Sequence, residues 1–337
     1  MLQKELANII GALKIISNDS FSFGGKIFNS NQSKFSPPVD QVNEPLLVLL
    51  LKDVFYEQCY CRKFSGQYYQ SSVDAGNNVQ AFQVALSQAN ETVERWDNDW
   101  IIEQILPGGQ YLAKKYGKYK LVFPGEFINL DYSVALPKEG TRISIHCLKD
   151  SFSFQPTFYF VFSNEISIEQ NLITLVRFYF NIKNTGAAKL IQLLTRQLNK
   201  YKIPFSFKCL NNPALFTRID AAVLYVTKPY YHITSQVLYD IYPKVQSEMN
   251  SQVPLFTKKL SDGLSIAEDP GNGDSFGMHR CHLLARGIYN SYMNHDTSAE
   301  NILLSIEHSF NSNGISLNTP YMNSDQQDDY LFINAIT

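Results

Sequence analysis

Long hydrophobic runs are missing from the sequence. The longest, Pro45-Leu46-Leu47-Val48-Leu49-Leu50-Leu51, falls far short of the roughly 20 apolar residues that span a bilayer, so it reads as a core segment. Charge of one sign is missing too. Lys+Arg 29 against Asp+Glu 31 gives a formal net charge of -2, so the field of the whole molecule draws it onto neither nucleic acid nor anionic lipid, and any basic site must be local. An odd total of five cysteines argues against a disulfide framework. Cys59 and Cys61 form a C-x-C pair with no second cluster to complete a metal or redox site, and Cys147, Cys209 and Cys281 are scattered. The first residues, Met1-Leu2-Gln3-Lys4-Glu5, lack the charged-then-apolar layout of a secretory signal, which gives the expectation of a cytoplasmic protein. No internal repeat is present.

What is there suits a large core. The 337 residues are 45% hydrophobic and 13% aromatic, enough for one big domain or two smaller ones. Up to about residue 105 the spacing is helical: Leu2, Leu6, Ile9, Ile10 and Leu13 recur at three and four, and Ala81 to Asn90 is similar. Asn18 to Asp40, rich in Ser, Asn, Phe and Gly and closed by Pro37-Pro38, reads as a mobile loop.

From about Gly117 the pattern changes to β-branched and aromatic runs punctuated by turn residues: 119–123, 141–146, 157–162 and 175–180. Helical spacing returns over Gly186 to Lys202, where Leu190, Leu193, Leu194 and Leu198 share a face, then over Tyr231 to Met249 and Gly277 to Tyr292. Ile203 to Leu210 and Ala221 to Thr227 read as strands, and a polar tail holds Asn311-Ser312-Asn313-Gly314. The expected fold is α+β, a mainly antiparallel sheet with packed helices. Residues 1–115 form a mostly helical N-terminal region and 116–337 an α+β domain.

The stretch from Glu268 to Arg280 is the most informative loop. Three glycines and a proline within Asp269 to Gly277 free the backbone for close approach to a ligand, and the helix that follows presents unpaired N–H groups near His279 and Arg280, as an anion site does. The competing reading is an ordinary capped loop whose Glu268, Asp269 and Asp274 repel phosphate or bind a cation. His279 and His282 could form one edge of a metal site, but no third ligand has suitable spacing, and neither a metal nor another cofactor is expected.

Several segments resemble the blocks of the HopA-like family, in its order: Val176 to Asn181, Ile203 to Lys208, Arg218 to Tyr225, Val253 to Lys258 and Ala267 to Arg280. Leu86-Ser87-Gln88-Ala89-Asn90 and Trp96-Asp97-Asn98-Asp99-Trp100 extend the resemblance to roughly residues 80 to 292. It implies one of two roles. Some members are type III effectors delivered into plant cells. Others work beside a kinase-like protein in lanthipeptide-type pathways, where phosphate is eliminated from Ser and Thr of a ribosomally made precursor peptide to leave a dehydroamino acid.

Elimination needs a base for a weakly acidic Cα proton, cations for a phosphate dianion and an acid for the departing oxygen. Phosphothreonine lyases of the bacterial effector type carry a Lys-x-His strand, a lysine base about thirty residues on, an arginine, a Tyr-x-Lys strand and two late arginines. The order here is similar: Arg177-Phe178-Tyr179, then Lys208, Arg218, Tyr225 with Lys228, and Arg280 with Arg286. The resemblance thus implies Lys208, Tyr179 and His279 as catalytic. It implies Arg177, Arg218, Lys228, Arg280 and Arg286 as phosphate ligands, with Tyr225 and Asp220 contacting substrate. Tyr179 stands where those lyases keep a histidine, and Tyr225 and Lys228 are one residue further apart.

Each residue also has a plainer reading. Lys208 could be a strand-end charge facing water, Arg218 and Asp220 a surface salt bridge alternating on one strand face, and Tyr179 and Tyr225 core aromatics. A non-catalytic effector or scaffold module binding a protein partner is the alternative function. Neither nucleic acid nor membrane is an expected partner.

Overall fold

A computed structural model describes residues 2–30, 44–70, 78–131, 136–166, 174–296, 298–324 and 326–332. Helix α1 (Leu2–Gly11) leads into a three-stranded antiparallel meander, β1 (Leu13–Ser17), β2 (Ser20–Phe23) and β3 (Lys26–Asn29). The N-terminal region is therefore less helical than its spacing suggests. Ser20-Phe21-Ser22-Phe23 alternates with period two, and both phenylalanines are buried, so a strand forms where composition alone reads as loop. The rest of that loop, 31–40, lies outside the described residues.

Helix α2 (Leu46–Phe55) is apolar on nearly every side and is buried on nearly every side. It runs on as a π-helical turn, Tyr56–Tyr60, and helix α3 (Val79–Ala89) follows. Next comes a five-stranded antiparallel sheet of β4 (Arg95–Leu106), β5 (Gln110–Lys115), β6 (Lys118–Val122), β7 (Phe127–Asn129) and β8 (Arg142–Cys147), in the order β6-β5-β4-β8-β7. It has its own small core of Trp100, Ile102, Ala113, Val122, Ile143 and Ile145. Strands β4 and β5 precede residue 116, so the sheet begins well before the boundary read from composition.

The remaining strands form one seven-stranded antiparallel sheet: β9 (Asp150–Gln155), β10 (Phe158–Phe162), β11 (Leu175–Phe180), β12 (Ser206–Leu210), β13 (Ala222–Thr227), β14 (Lys258–Ser261) and β15 (Leu264–Glu268). Their order is β14-β15-β11-β13-β12-β10-β9. Helices α4 (Asn184–Lys200) and α5 (Tyr231–Val245) intervene; α6 (Phe276–Met293) and α7 (Ala299–Asn311) follow. Helix α7 was not apparent in the polar tail, yet it packs on α6 and buries Ile306 and Phe310.

The register sorts side chains onto two faces. Val176, Phe178, Phe180, Phe207, Leu224 and Val226 share one, and Phe178 stacks there on Tyr231 of α5 at 5.8 Å. Arg177, Tyr179, Lys208, Val223 and Tyr225 share the other. Over β11 that second face is roofed by Tyr60 and Phe276, each with its ring centroid 6.3 Å from that of Tyr179. Gly277 makes this roof possible, because a Cβ there would meet the Tyr60 ring at 2.5 Å. Among the described residues no helix is long and apolar enough to cross a membrane.

Candidate functional site

A strand covered on both faces must bury whatever it carries, and β11 carries Arg177 and Tyr179. Arg177 is 8% exposed, so its guanidinium needs partners. It finds Asp269, just past β15: Nε donates to Oδ2 at 2.7 Å, one terminal nitrogen donates to the same oxygen, and that nitrogen also reaches the Asp274 carbonyl at 3.2 Å. The Asp269–Ser275 loop, turned by Gly271 (φ 76°) and Gly273 (φ 87°), thus lies over the arginine with a carboxylate against it.

Lys208 lies two strands from Tyr179 in the same cross-strand row, through Val223, which sets their Cα atoms about 10 Å apart. Its Nζ sits over the Phe158 ring at 4.5 Å and near the Tyr225 ring at 5.8 Å, and donates weakly to Gln155 Oε1 at 3.4 Å. Among the described residues it has no ion-pair partner. Burial draws its pKa down to about 8; Asp220 opposes the shift, while the positive charges of Arg177 and Arg218 add to it.

Arg218 and Asp220 stand in the turn before β13 rather than alternating on a strand. Nε donates to Oδ1 at 2.8 Å and a terminal nitrogen donates to Oδ2 at 2.7 Å, a bidentate fork. The remaining reach of Arg218 goes to the Tyr56 hydroxyl at 3.1 Å. Aromatic rings space the three cations: the Tyr225 ring lies near both Arg177 (5.5 Å) and Lys208, and the Phe158 ring near both Lys208 and Arg218 (5.9 Å).

Tyr179 Oη is buried and, among the described residues, meets no partner at hydrogen-bonding geometry, although Tyr60 and Arg177 are close enough to act on its ionisation. Desolvation raises its pKa, so it keeps its proton. Tyr225 likewise is held protonated by burial. Arg280 is fully buried on α6 behind Tyr179, within electrostatic reach of Tyr179 and Arg177. Its donors go to the carbonyls of Pro320 (2.7 Å) and Met322 (2.9 Å) and to His279 Nδ1 (2.7 Å). Because arginine only donates, His279 Nδ1 accepts and its proton sits on Nε2. Burial and then Arg280 push the His279 pKa down to about 4, so the ring is neutral at physiological pH. The ionisable groups that act on it are Arg280, Asp274 and His282, and Lys208 is not among them.

The structure therefore brings Arg177, Tyr179, Lys208, Arg218, Asp220 and Tyr225 onto one face, with Arg280 directly behind. Three residues of the expected set are elsewhere: His279, turned to Arg280 on α6, Lys228 and Arg286. Lys228 donates to Glu268 at 3.0 Å and to Gln326 at 2.7 Å, and Glu268 lies in the row of Val176, on the alternate face. Arg286 and His282, one turn apart on α6, both engage Glu44, with Arg286 Nε 2.5 Å and His282 Nε2 2.7 Å from Oε1. The helix start expected to hold an anion is capped by Ser275, whose Oγ accepts from Met278 N at 3.2 Å. Of the three glycines read as backbone freedom, Gly277 serves packing against Tyr60.

Three site residues were not singled out by the sequence: Tyr56, Tyr60 and Phe158. The two tyrosines are four apart, a helical spacing that puts both on one side of the π-turn, with rings stacked at 5.5 Å. That spacing was a usable signal.

The sequence model of the HopA1 effector protein family matches residues 149–322, just over half of the chain and all seven strands of the larger sheet. Two solved structures are similar to this one. The effector protein from Pseudomonas syringae pv. tomato strain DC3000 has a TM-score of 0.47 at 14% identity, covering 82% of this chain and 90% of that one. The effector protein from Pseudomonas syringae pv. syringae strain 61 has a TM-score of 0.45 at 13% identity, covering 81% and 88%. No curated protein matches the sequence.

Proposed function

The chain belongs to the HopA1 effector protein family, and on that premise we propose that its Lys208 face eliminates phosphate from phosphoserine or phosphothreonine in a ribosomally made peptide phosphorylated by a kinase-like partner. In this reading neutral Lys208 takes the Cα proton, the C–H electron pair becomes the Cα=Cβ bond, and the Cβ–O bond breaks to release phosphate. On the same reading Tyr179, which burial keeps protonated, gives its proton to the departing oxygen. Arg177 and Arg218 offset charge on the leaving group, with Arg280 adding positive potential from behind. Asp220 and Tyr225 orient Arg218 and Lys208.

The observation that carries the proposal is Lys208 itself: a half-buried lysine without an ion pair among the described residues, flanked by two arginines, its pKa drawn down to about 8. A solvated strand-end lysine needs none of these features, whereas a general base needs a lowered pKa, which burial and neighbouring cations supply. The test is Lys208→Ala with a synthetic phosphopeptide. Binding by the variant should stay within about threefold of the parent while elimination, read by mass spectrometry as loss of phosphoric acid, falls by about 100-fold or more. Elimination at the parent rate would rule out the base.

A second reading is favoured by a specific observation. Arg177 and Arg218 are already satisfied by Asp269 and Asp220. Such a network also suits a non-catalytic effector or scaffold module that binds a protein partner through another surface. A parent protein that binds its kinase-like partner yet never eliminates phosphate would select this reading.

A further inference from the structure

The sheet face that carries Lys208 continues past it. Two residues back along β12, Ser206 points to the same side, and on β10 Phe160 stands opposite Lys208 and Phe162 opposite Ser206. Phe154, on the edge strand β9, packs against both phenylalanines with ring centroids 5.5 and 5.7 Å away. Ser206 and the three rings line one side of a cavity of about 380 Å³. His146 and Lys120 of the five-stranded sheet line the other, together with the carboxylates Glu126 and Glu165. The rings are not closed over by core: Phe160 and Phe162 are half-buried and Phe154 is 64% exposed.

Lys208 stands one strand repeat beyond Ser206 and outside that cavity's lining, so the cationic cluster and the aromatic floor lie side by side on one face and restrict what fits both. Inorganic phosphate would use only the cations, and a purely apolar ligand only the floor. A phosphorylated peptide with a large apolar side chain nearby uses both. The spacing fits an extended chain, because Ser206 and Lys208 are one strand repeat apart, about 7 Å, and side chains two residues apart in an extended peptide point the same way at the same interval.

The geometry points to a substrate groove that selects phosphopeptides carrying a phenylalanine-sized apolar side chain two residues from the phosphorylated one. The inference rests on the lyase reading for where the phosphorylated residue sits, and adds the sequence preference of its substrate.

The test uses fluorescence anisotropy on the full chain with labelled peptides identical except for Phe or Asp two residues before or after phosphoserine, plus an unphosphorylated Phe peptide. The parent should bind a Phe phosphopeptide about tenfold tighter than its Asp counterpart, the scale expected for burying one aromatic side chain. Ser206→Trp fills the groove, and Phe154→Ala removes a mostly exposed ring that the core does not need. Both should cut the preference to within about twofold, by weakening the Phe phosphopeptide toward its Asp counterpart. No preference in the parent, or a preference that survives both variants, overturns the groove. So does equal binding of the unphosphorylated Phe peptide, because the two ends would then not act together. Mass spectrometry on the same mixtures separates the two proposals. Elimination without preference sinks the groove alone, and preference without elimination sinks the lyase reading alone.

Discussion

Arg177 and Asp269, 92 residues apart in sequence, meet in a fork in which two guanidinium nitrogens donate to a single carboxylate oxygen. Under the proposed function the carboxylate occupies the donors that a phosphate oxygen uses, so the loop carrying Asp269 competes with substrate for Arg177.

Asp269→Asn keeps the side chain's shape and removes its charge. Phosphopeptide binding should tighten by about tenfold, because the competing anion is lost. Thermal unfolding should show a cost of about 1–3 kcal/mol, because Arg177 stays buried with a weaker partner. Isothermal titration alongside a melt checks both. Weaker phosphopeptide binding would mean that Asp269 positions Arg177 rather than competing for it.

Arg280 is fully buried, and two of its donors tie α6 to the carbonyls of Pro320 and Met322. Arg280→Met should destabilise by about 3 kcal/mol or more. Arg280→Lys should fail to rescue, since one ammonium cannot span both carbonyls and His279. Hydrogen exchange should quicken at the Glu268 and Asn323 amides, which bond to Tyr321 O and Glu268 Oε2. Unchanged protection there would show that the segment is held by other contacts.

Lys208 makes a prediction about stability that a solvated lysine does not. Its folded pKa of about 8 lies below the ordinary 10.5, so between those values the unfolded chain holds a proton that the folded chain has released. The unfolded state binding more protons means that stability of the parent rises with pH across that window. Lys208→Met, which removes the charge and keeps the bulk, should therefore stabilise by about 1–3 kcal/mol at pH 7, and the gain should shrink as pH rises past 8. Denaturant melts at pH 7 and pH 9.5 decide it. A gain that is absent, or the same at both, would place Lys208 in water.

Much of the site was legible because it is written in local alternation. Val176-Arg177-Phe178-Tyr179-Phe180 puts the charge and the phenol on one face of a buried strand, and Phe207-Lys208-Cys209 does the same for the lysine. What could not be read was pairing across long separations. Arg286 looks as available as Arg218 until Glu44, 242 residues away, takes it, and Lys228 until Glu268 does. The fold was legible where periodicity and composition agree, as in β11, α4 and α5. It was hidden where they conflict, as in β2, whose Ser–Phe alternation sits in a loop-like composition, and in α7, whose few buried residues lie in a polar stretch.

The central claim, that neutral Lys208 removes the Cα proton, is tested most directly by kcat/KM for phosphopeptide elimination from pH 6.5 to 10, a range in which the phosphate is already mostly dianionic. The base must be deprotonated to act, so the rate should rise with pH and level off above a midpoint near 8. A profile that is flat or falling, or one whose midpoint lies near the ordinary lysine value of 10.5, would contradict the assignment.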